Sequence, residues 1–228
     1  MKRAFLVTLL LLAAVPAGVV QAQTTEPQYL RLPHRFQIFV EGGGALPTSP
    51  SIWDELWDSA FSFGLGAGAS IFPWLEVNAG FNTMSFGLNH LQAKGLLGYQ
   101  GIQEVEGGAI STSIYYGSAR FIAVPRARTN PYLEAQVGYF STSADDVIIE
   151  GVVDKSMESV SGMSVSGTVG IQYAMSDYWT AYAKYTYTAN LNGDFAPGDL
   201  LQPVNGSRDE PKGNQIIQSL IVGVMVRF

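Results

Sequence analysis

Phe61-Ser62-Phe63-Gly64-Leu65-Gly66-Ala67-Gly68-Ala69-Ser70-Ile71 sets an apolar residue at every second position, with only serine or glycine between. Strand side chains point alternately to opposite faces, so this stretch has one apolar face and one small, polar face. A helix would space its apolar residues by three and four, and this stretch does not. The same period recurs along the chain. Leu75, Val77, Ala79 and Phe81 alternate with Glu76, Asn78, Gly80 and Asn82. Leu133, Ala135, Val137 and Tyr139 alternate with Tyr132, Glu134, Gln136 and Gly138. Met163, Val165, Val169, Ile171 and Tyr173 face away from Ser164, Ser166, Thr168, Gly170 and Gln172. Trp179, Ala181, Ala183, Tyr185 and Tyr187 face away from Thr180, Tyr182, Lys184, Thr186 and Thr188.

Three further segments bring the expected count to eight. Arg35–Gly43 carries Phe36, Ile38 and Val40 on its apolar face, and Gln215–Phe228 carries Leu220, Val222, Val224, Val226 and Phe228. Ala109–Ile122 carries Ile110, Ile114 and Tyr116, but its phase blurs from Ser118 to Phe121, as a bulge would make it. Short connections (around Phe72-Pro73-Trp74, Ala123–Asn130 and Ser176-Asp177) alternate with long ones (Ala45–Asp58, Gly87–Gly108, Ser143–Ser159 and Leu191–Asn214). Outer-membrane barrels connect their strands this way, with short periplasmic turns and long external loops. The expectation is an all-β fold, an eight-stranded antiparallel transmembrane barrel over residues 35–228. Trp74 and Trp179 fall beside short turns, where interfacial aromatics belong.

Eight strands also make soluble, lipocalin-like ligand-binding barrels, which turn their apolar face inward. The residue types on the polar face discriminate. A wet exterior needs Lys, Glu, Asp and Arg, whereas these faces hold mainly Gly, Ser, Thr, Asn and Gln. Small uncharged side chains suit a crowded lumen. Composition agrees: only 14% of residues are charged, against about 25% in soluble proteins. With no cysteine, disulfides, thiolate metal sites and a lipoprotein anchor are excluded. A net charge of −6 without a basic stripe argues against nucleic acid as a partner.

Residues 1–22 have the layout of a secretory signal: Lys2 and Arg3, an apolar run from Ala4 to Val15, then Val20-Gln21-Ala22 as a cleavage site. Cleavage is expected, leaving a mature chain two charges more acidic. Residues 23–34 read as a polar periplasmic lead-in. No later stretch is apolar for the roughly 20 residues of a transmembrane helix.

At the C-terminus, Gly223, Val226 and Phe228 mark alternating positions that close on a terminal aromatic. Here the chain resembles the small eight-stranded outer-membrane proteins, the group that includes the OmpA transmembrane domain, OmpX and OmpW, from about Arg35 to Phe228. It departs from them at Ile221, where their signature prefers a polar residue. The resemblance implies that Gly223, Val226 and Phe228 form a signal for the barrel-assembly machinery. It also implies residence in the outer membrane of a diderm bacterium, in contact with lipid and lipopolysaccharide.

Six charges stand within strands on polar faces: Glu41, Glu76, Arg120, Glu134, Lys184 and Arg227. Charge in so narrow a lumen is costly unless paired, so the acids are expected to meet the bases there. Such a network either fills the lumen and holds strand register or gates it by exchanging partners; filling is the ordinary state of eight-stranded interiors. Arg227, beside the chain end, has a second possible position at the periplasmic mouth.

The long loops are acidic. They carry Asp54, Glu55 and Asp58, then Glu104 and Glu106, then Asp145, Asp146, Glu150, Asp154 and Glu158, and lastly Asp194, Asp199, Asp209 and Glu210. Against these stand Lys94, Lys155, Arg208 and Lys212. An acidic rim keeps loops soluble, and it also offers an external ligand or divalent cation a landing site. No run has calcium-loop spacing, and no metal or other cofactor is expected. In the first loop Ile52, Trp53, Leu56 and Trp57 recur at helical spacing. Trp53 and Trp57 are expected among the interfacial aromatics, with packing over the barrel mouth as the alternative.

The two histidines, His34 and His90, lack the partners of a catalytic base. No enzyme is expected. A structural or surface-interaction barrel is the leading expectation, and a narrow channel for ions or small or apolar solutes the alternative.

Overall fold

The computed structural model describes residues 35–91, 93, 105–125, 127–149, 152–155, 159–195 and 213–228. The signal sequence, the lead-in and His34 lie outside them. In chain order the elements are β1 (Phe36–Ser49), α1 (Ser51–Leu56), β2 (Ala60–Phe72), β3 (Leu75–Phe86), β4 (Val105–Gly107) and β5 (Ile110–Ile122). There follow β6 (Thr129–Ala144), β7 (Val147–Ile149), β8 (Val152–Lys155), β9 (Val160–Ala174), β10 (Trp179–Phe195) and β11 (Gly213–Arg227).

Eight strands close into one antiparallel barrel in the order β1-β11-β10-β9-β6-β5-β3-β2. Every long strand thus pairs with its neighbours in sequence, and the ring shuts where β1 meets β11. Closure reaches the last residue, since the Phe228 N–H donates to Phe36 O at 2.9 Å. The three short strands form a separate sheet, β4-β7-β8, built from the two loops after β3 and β6. Gly107 and Gly108, with φ of 77° and 72°, supply the left-handed backbone that carries the chain from β4 into β5.

The wall is inverted relative to a soluble protein. Ile38, Val40, Leu65, Val77, Leu133, Val137, Val169 and Val222 lie on its outside and are exposed. A continuous apolar belt of this kind is untenable in water and fits hydrocarbon, where closure also leaves no strand edge unpaired. The barrel is therefore a membrane-spanning one. Inward positions carry Ser62, Asn78, Asn82, Thr112, Thr168, Gln172 and Thr186, all buried.

Aromatic rings fill the lumen by lying over glycines on the next strand. Phe39 pairs in register with Gly66, Tyr116 with Gly80, Tyr132 with Gly170 and Tyr182 with Gly223. A Cβ built on any of these glycines would run into its partner's ring. The missing side chain is what lets each ring lie flat across the neighbouring strand.

Two expectations need correction. In β5 the face carrying Ile110, Ile114 and Tyr116 points inward and is buried. The strand pairs without interruption with β3 and β6, so the segment Ser118–Phe121 holds no bulge. The blurred phase came from apolar residues on the lumen side, which belong to the cap described below. The second is length: β1 runs on to Ser49, well past Gly43, so the loop before β2 is short and holds α1.

Candidate functional site: a charged lumen under an apolar cap

Each of the six lumen charges comes from a different strand, and alternation aims all of them inward. Glu41 is on β1, Glu76 on β3, Arg120 on β5, Glu134 on β6, Lys184 on β10 and Arg227 on β11. Their exposures lie between 0% for Glu76 and 5% for Arg227. Arg227 therefore sits inside the lumen and not at the mouth. Three carboxylates face three cations, and the layer is neutral.

Glu76 is the hub nearest the turns. Its Oε1 accepts from Arg227 Nη2 at 2.7 Å, and its Oε2 lies 3.5 Å from Arg120 Nη1. Arg120 grips the next acid, with Nε and Nη2 donating to Glu134 Oε2 at 3.0 and 2.9 Å. Its guanidinium lies 4.4 Å from the centre of the Tyr132 ring and 5.4 Å from that of Tyr182. Lys184 pairs with Glu41, 2.8 Å from Oε2, and the Tyr182 hydroxyl donates to the same oxygen at 2.7 Å. Gln37 extends the layer, donating from Nε2 to Asn78 Oδ1 at 2.6 Å. Such pairs withstand burial only because each charge also has hydrogen-bonding partners or an aromatic face.

Above this layer the lumen is lined by hydroxyls and amides that bond in pairs. Thr168 meets Thr186, Ser166 meets Thr188 and Thr112 meets Thr142, each at 2.9 Å. Gln215 donates to Thr112 and accepts from Asn190. Between this zone and the charges lies a void of about 20 Å³, lined in part by Glu41, Lys184, Tyr116 and Ile221. That is room for one water molecule. Ile221 thus sits on the lumen side, 2% exposed.

The loop end is closed by an apolar cap. Trp53 of α1 is wholly buried, its ring centre 4.9 Å from that of Phe86 and 5.1 Å from that of Phe195, edge to face. Leu56, Trp57, Ile110, Phe140, Val147 and Ile217 join the same cluster. The Trp57 indole donates to Gly108 O at 2.9 Å. Trp53 and Trp57 are therefore not interfacial, which corrects that expectation. The helical spacing of their apolar face was read properly, but it packs down the mouth, where more apolar partners are offered than at the bilayer surface. Trp74 and Trp179 are each 48% exposed at the turn end. Trp74 stacks there between Phe72 and Phe121.

At the C-terminus, Gly223 is the seat of Tyr182, Val226 pairs in register with Ile38 and Trp179, and Phe228 is 62% exposed. His90 is exposed in the connection after β3. Among the described residues no group of metal-ligating side chains gathers. Tyr116, Tyr132 and Tyr182 were not singled out as site residues from the sequence. Tyr132 and Tyr182 carried a usable signal, each a bulky ring on a polar face; Tyr116 did not, because it shares its phase with Ile110 and Ile114.

No protein-family model matches the chain, and no curated protein does. Solved structures do. Neisserial surface protein A is 17% identical with a TM-score of 0.52, covering 85% of this chain and 97% of its own. Ail of Yersinia pestis is 11% identical, TM-score 0.49, over 86% of this chain and all of its own. OprG of Pseudomonas aeruginosa is 12% identical, TM-score 0.49, over 89% and 99%. At 17% identity the likeness to Neisserial surface protein A is one of fold alone, that of a small outer-membrane β-barrel.

Proposed function

We propose that the chain is an integral outer-membrane barrel with a structural or surface-interaction role, and that its lumen is a filled core. The observation that carries this is the neutral six-charge layer, no member of which is more than 5% exposed. The apolar cap adds a second barrier at the loop end. The described acidic residues Glu55, Asp58, Glu106, Asp145 and Asp146 are exposed there, where an external ligand or divalent cation would meet them. The reading is of a non-enzymatic protein without a cofactor, exported by its signal sequence and inserted by the barrel-assembly machinery.

A narrow channel is the second reading. It is favoured by Arg227 Nε and Gln37 Oε1, buried polar atoms in the charged layer that make no hydrogen bond, so the layer has capacity for another arrangement. Planar-bilayer recording separates the two. A filled core predicts a silent wild-type protein. Reproducible openings that change in Lys184→Ala or Glu134→Ala would replace it with the channel.

A further inference from the structure

Tyr116 is buried in the lumen, 7% exposed, and its hydroxyl has no hydrogen-bond partner among the described residues. A buried hydroxyl left in that state is costly, so what surrounds it matters. Its ring lies over Gly80 of β3, which puts the hydroxyl where a Cβ of that glycine would stand. The Glu41 carboxylate is seated in the same way on the neighbouring strand, with Oε1 over Gly64 of β2. Gly66 faces Gly80 in register and Gly64 faces Asn82, so the two seats are diagonal neighbours on one face of the sheet. Diagonal positions stand about 7 Å apart. That is too far for a direct hydrogen bond, and close to the span of two bonds of about 2.8 Å that meet at one atom.

The void of about 20 Å³ lies against both groups, and Lys184, Ser166 and Thr188 also line it. That volume suits one water molecule and nothing larger. Charge argues the same way. Lys184 Nζ lies 3.0 Å from Glu41 Oε1 and 2.8 Å from Oε2. A metal cation here would meet the ammonium, and an anion would meet the carboxylate. A neutral molecule that both donates and accepts suits the two together. Ser166 and Thr188, bonded to each other at 2.9 Å, add two hydroxyls to the lining.

We propose that this void is a fixed hydration site: one water molecule accepts from the Tyr116 hydroxyl, donates to Glu41 Oε1 and ties the charged layer to the Ser166–Thr188 hydroxyls. Buried waters make about three hydrogen bonds, which these groups supply. This reading of the void rests on the lumen being a filled core, and it makes water a permanent part of that filling. Tyr116 then acts through its hydroxyl as well as its ring, and phenylalanine is not its equal.

Urea unfolding of the full chain from lipid vesicles reads this bond by its sign. With water in place, Tyr116→Phe strips away one hydrogen bond and should raise the unfolding constant about fivefold. In a dry void the same change removes an unpaired hydroxyl, so an unchanged or lowered unfolding constant would overturn the site. Heat-modifiable migration of the variant, run alongside, reports the folded barrel. Water-to-methyl magnetisation transfer in isoleucine-labelled wild type, held in lipid nanodiscs, needs no variant at all. Cross-peaks are expected at Ile114 and Ile221, which line the void. None are expected at Ile110 in the apolar cap or at Ile122 in the cluster around Tyr132 and Met225. Silence at Ile114 and Ile221 would overturn the site. A wild-type unfolding constant that falls when sodium replaces choline in the buffer would assign the void to a cation and overturn the water. Cross-peaks at all four isoleucines, together with openings in planar bilayers, would mean a flooded lumen. That outcome removes the filled core itself and is distinct from a dry void.

Discussion

At the scale of single residues, the lumen charges are held by one another, so removing one differs from removing a pair. Lys184→Met leaves Glu41 buried with only one side-chain partner, the Tyr182 hydroxyl, and should cost about 3–5 kcal/mol. Glu41→Gln/Lys184→Met removes both charges, keeps an acceptor for Tyr182 and should recover most of that loss. Urea unfolding from lipid vesicles measures both, and additive losses would show that the two do not act as a pair. Gly223 is a second case, because its position serves both packing and the expected assembly signal. Gly223→Ala and Gly80→Ala each push a Cβ into a tyrosine ring, and each should cost about 1–3 kcal/mol by overpacking. If Gly223 also acts in assembly, only Gly223→Ala should slow insertion in cells beyond that loss. Pulse-chase of the folded form compares them.

Among the elements, α1 depends most on the rest of the molecule. Six residues without a side-chain N-cap are too few to hold a helix alone, so packing of Trp53 and Leu56 into the mouth keeps it formed. Trp53→Ala should therefore cost about 3–5 kcal/mol. Single-tryptophan variants check the geometry directly. Brominated acyl chains should quench Trp74 and Trp179 and leave Trp53 and Trp57 unquenched; quenching of Trp53 would return α1 to the bilayer surface. In β5, alternation was legible from the sequence but its direction was not. Ile110, Ile114 and Tyr116 carry the same inward phase as Arg120, and only their neighbours in the cap explain why apolar residues stand on the lumen side.

For the whole molecule, closure makes unfolding a single event, because no strand can leave without opening two ladders and exposing backbone groups to hydrocarbon. Unheated samples in dodecyl sulfate should run as a compact band that converts to the full-length position on boiling. A chain that is soluble without detergent and shows no such shift would point to the soluble barrel instead. The lumen network should respond weakly to added salt, since buried pairs are little screened.

The sequence by itself determined the strand period, the eight-strand count and the inward direction of five charges, Glu41, Glu76, Arg120, Glu134 and Lys184. Period two is a local property, and each strand carries it without reference to the others. Tertiary structure decided which acid met which base, that Arg227 entered the lumen, and that Trp53 and Trp57 turned down into the mouth. It also decided that residues after β3 and β6 pair as β4, β7 and β8. Those outcomes depend on register between strands and on the room left inside a closed ring. Neither is written in any one segment, because a side chain's partner across the barrel is set by the stagger of all eight strands together.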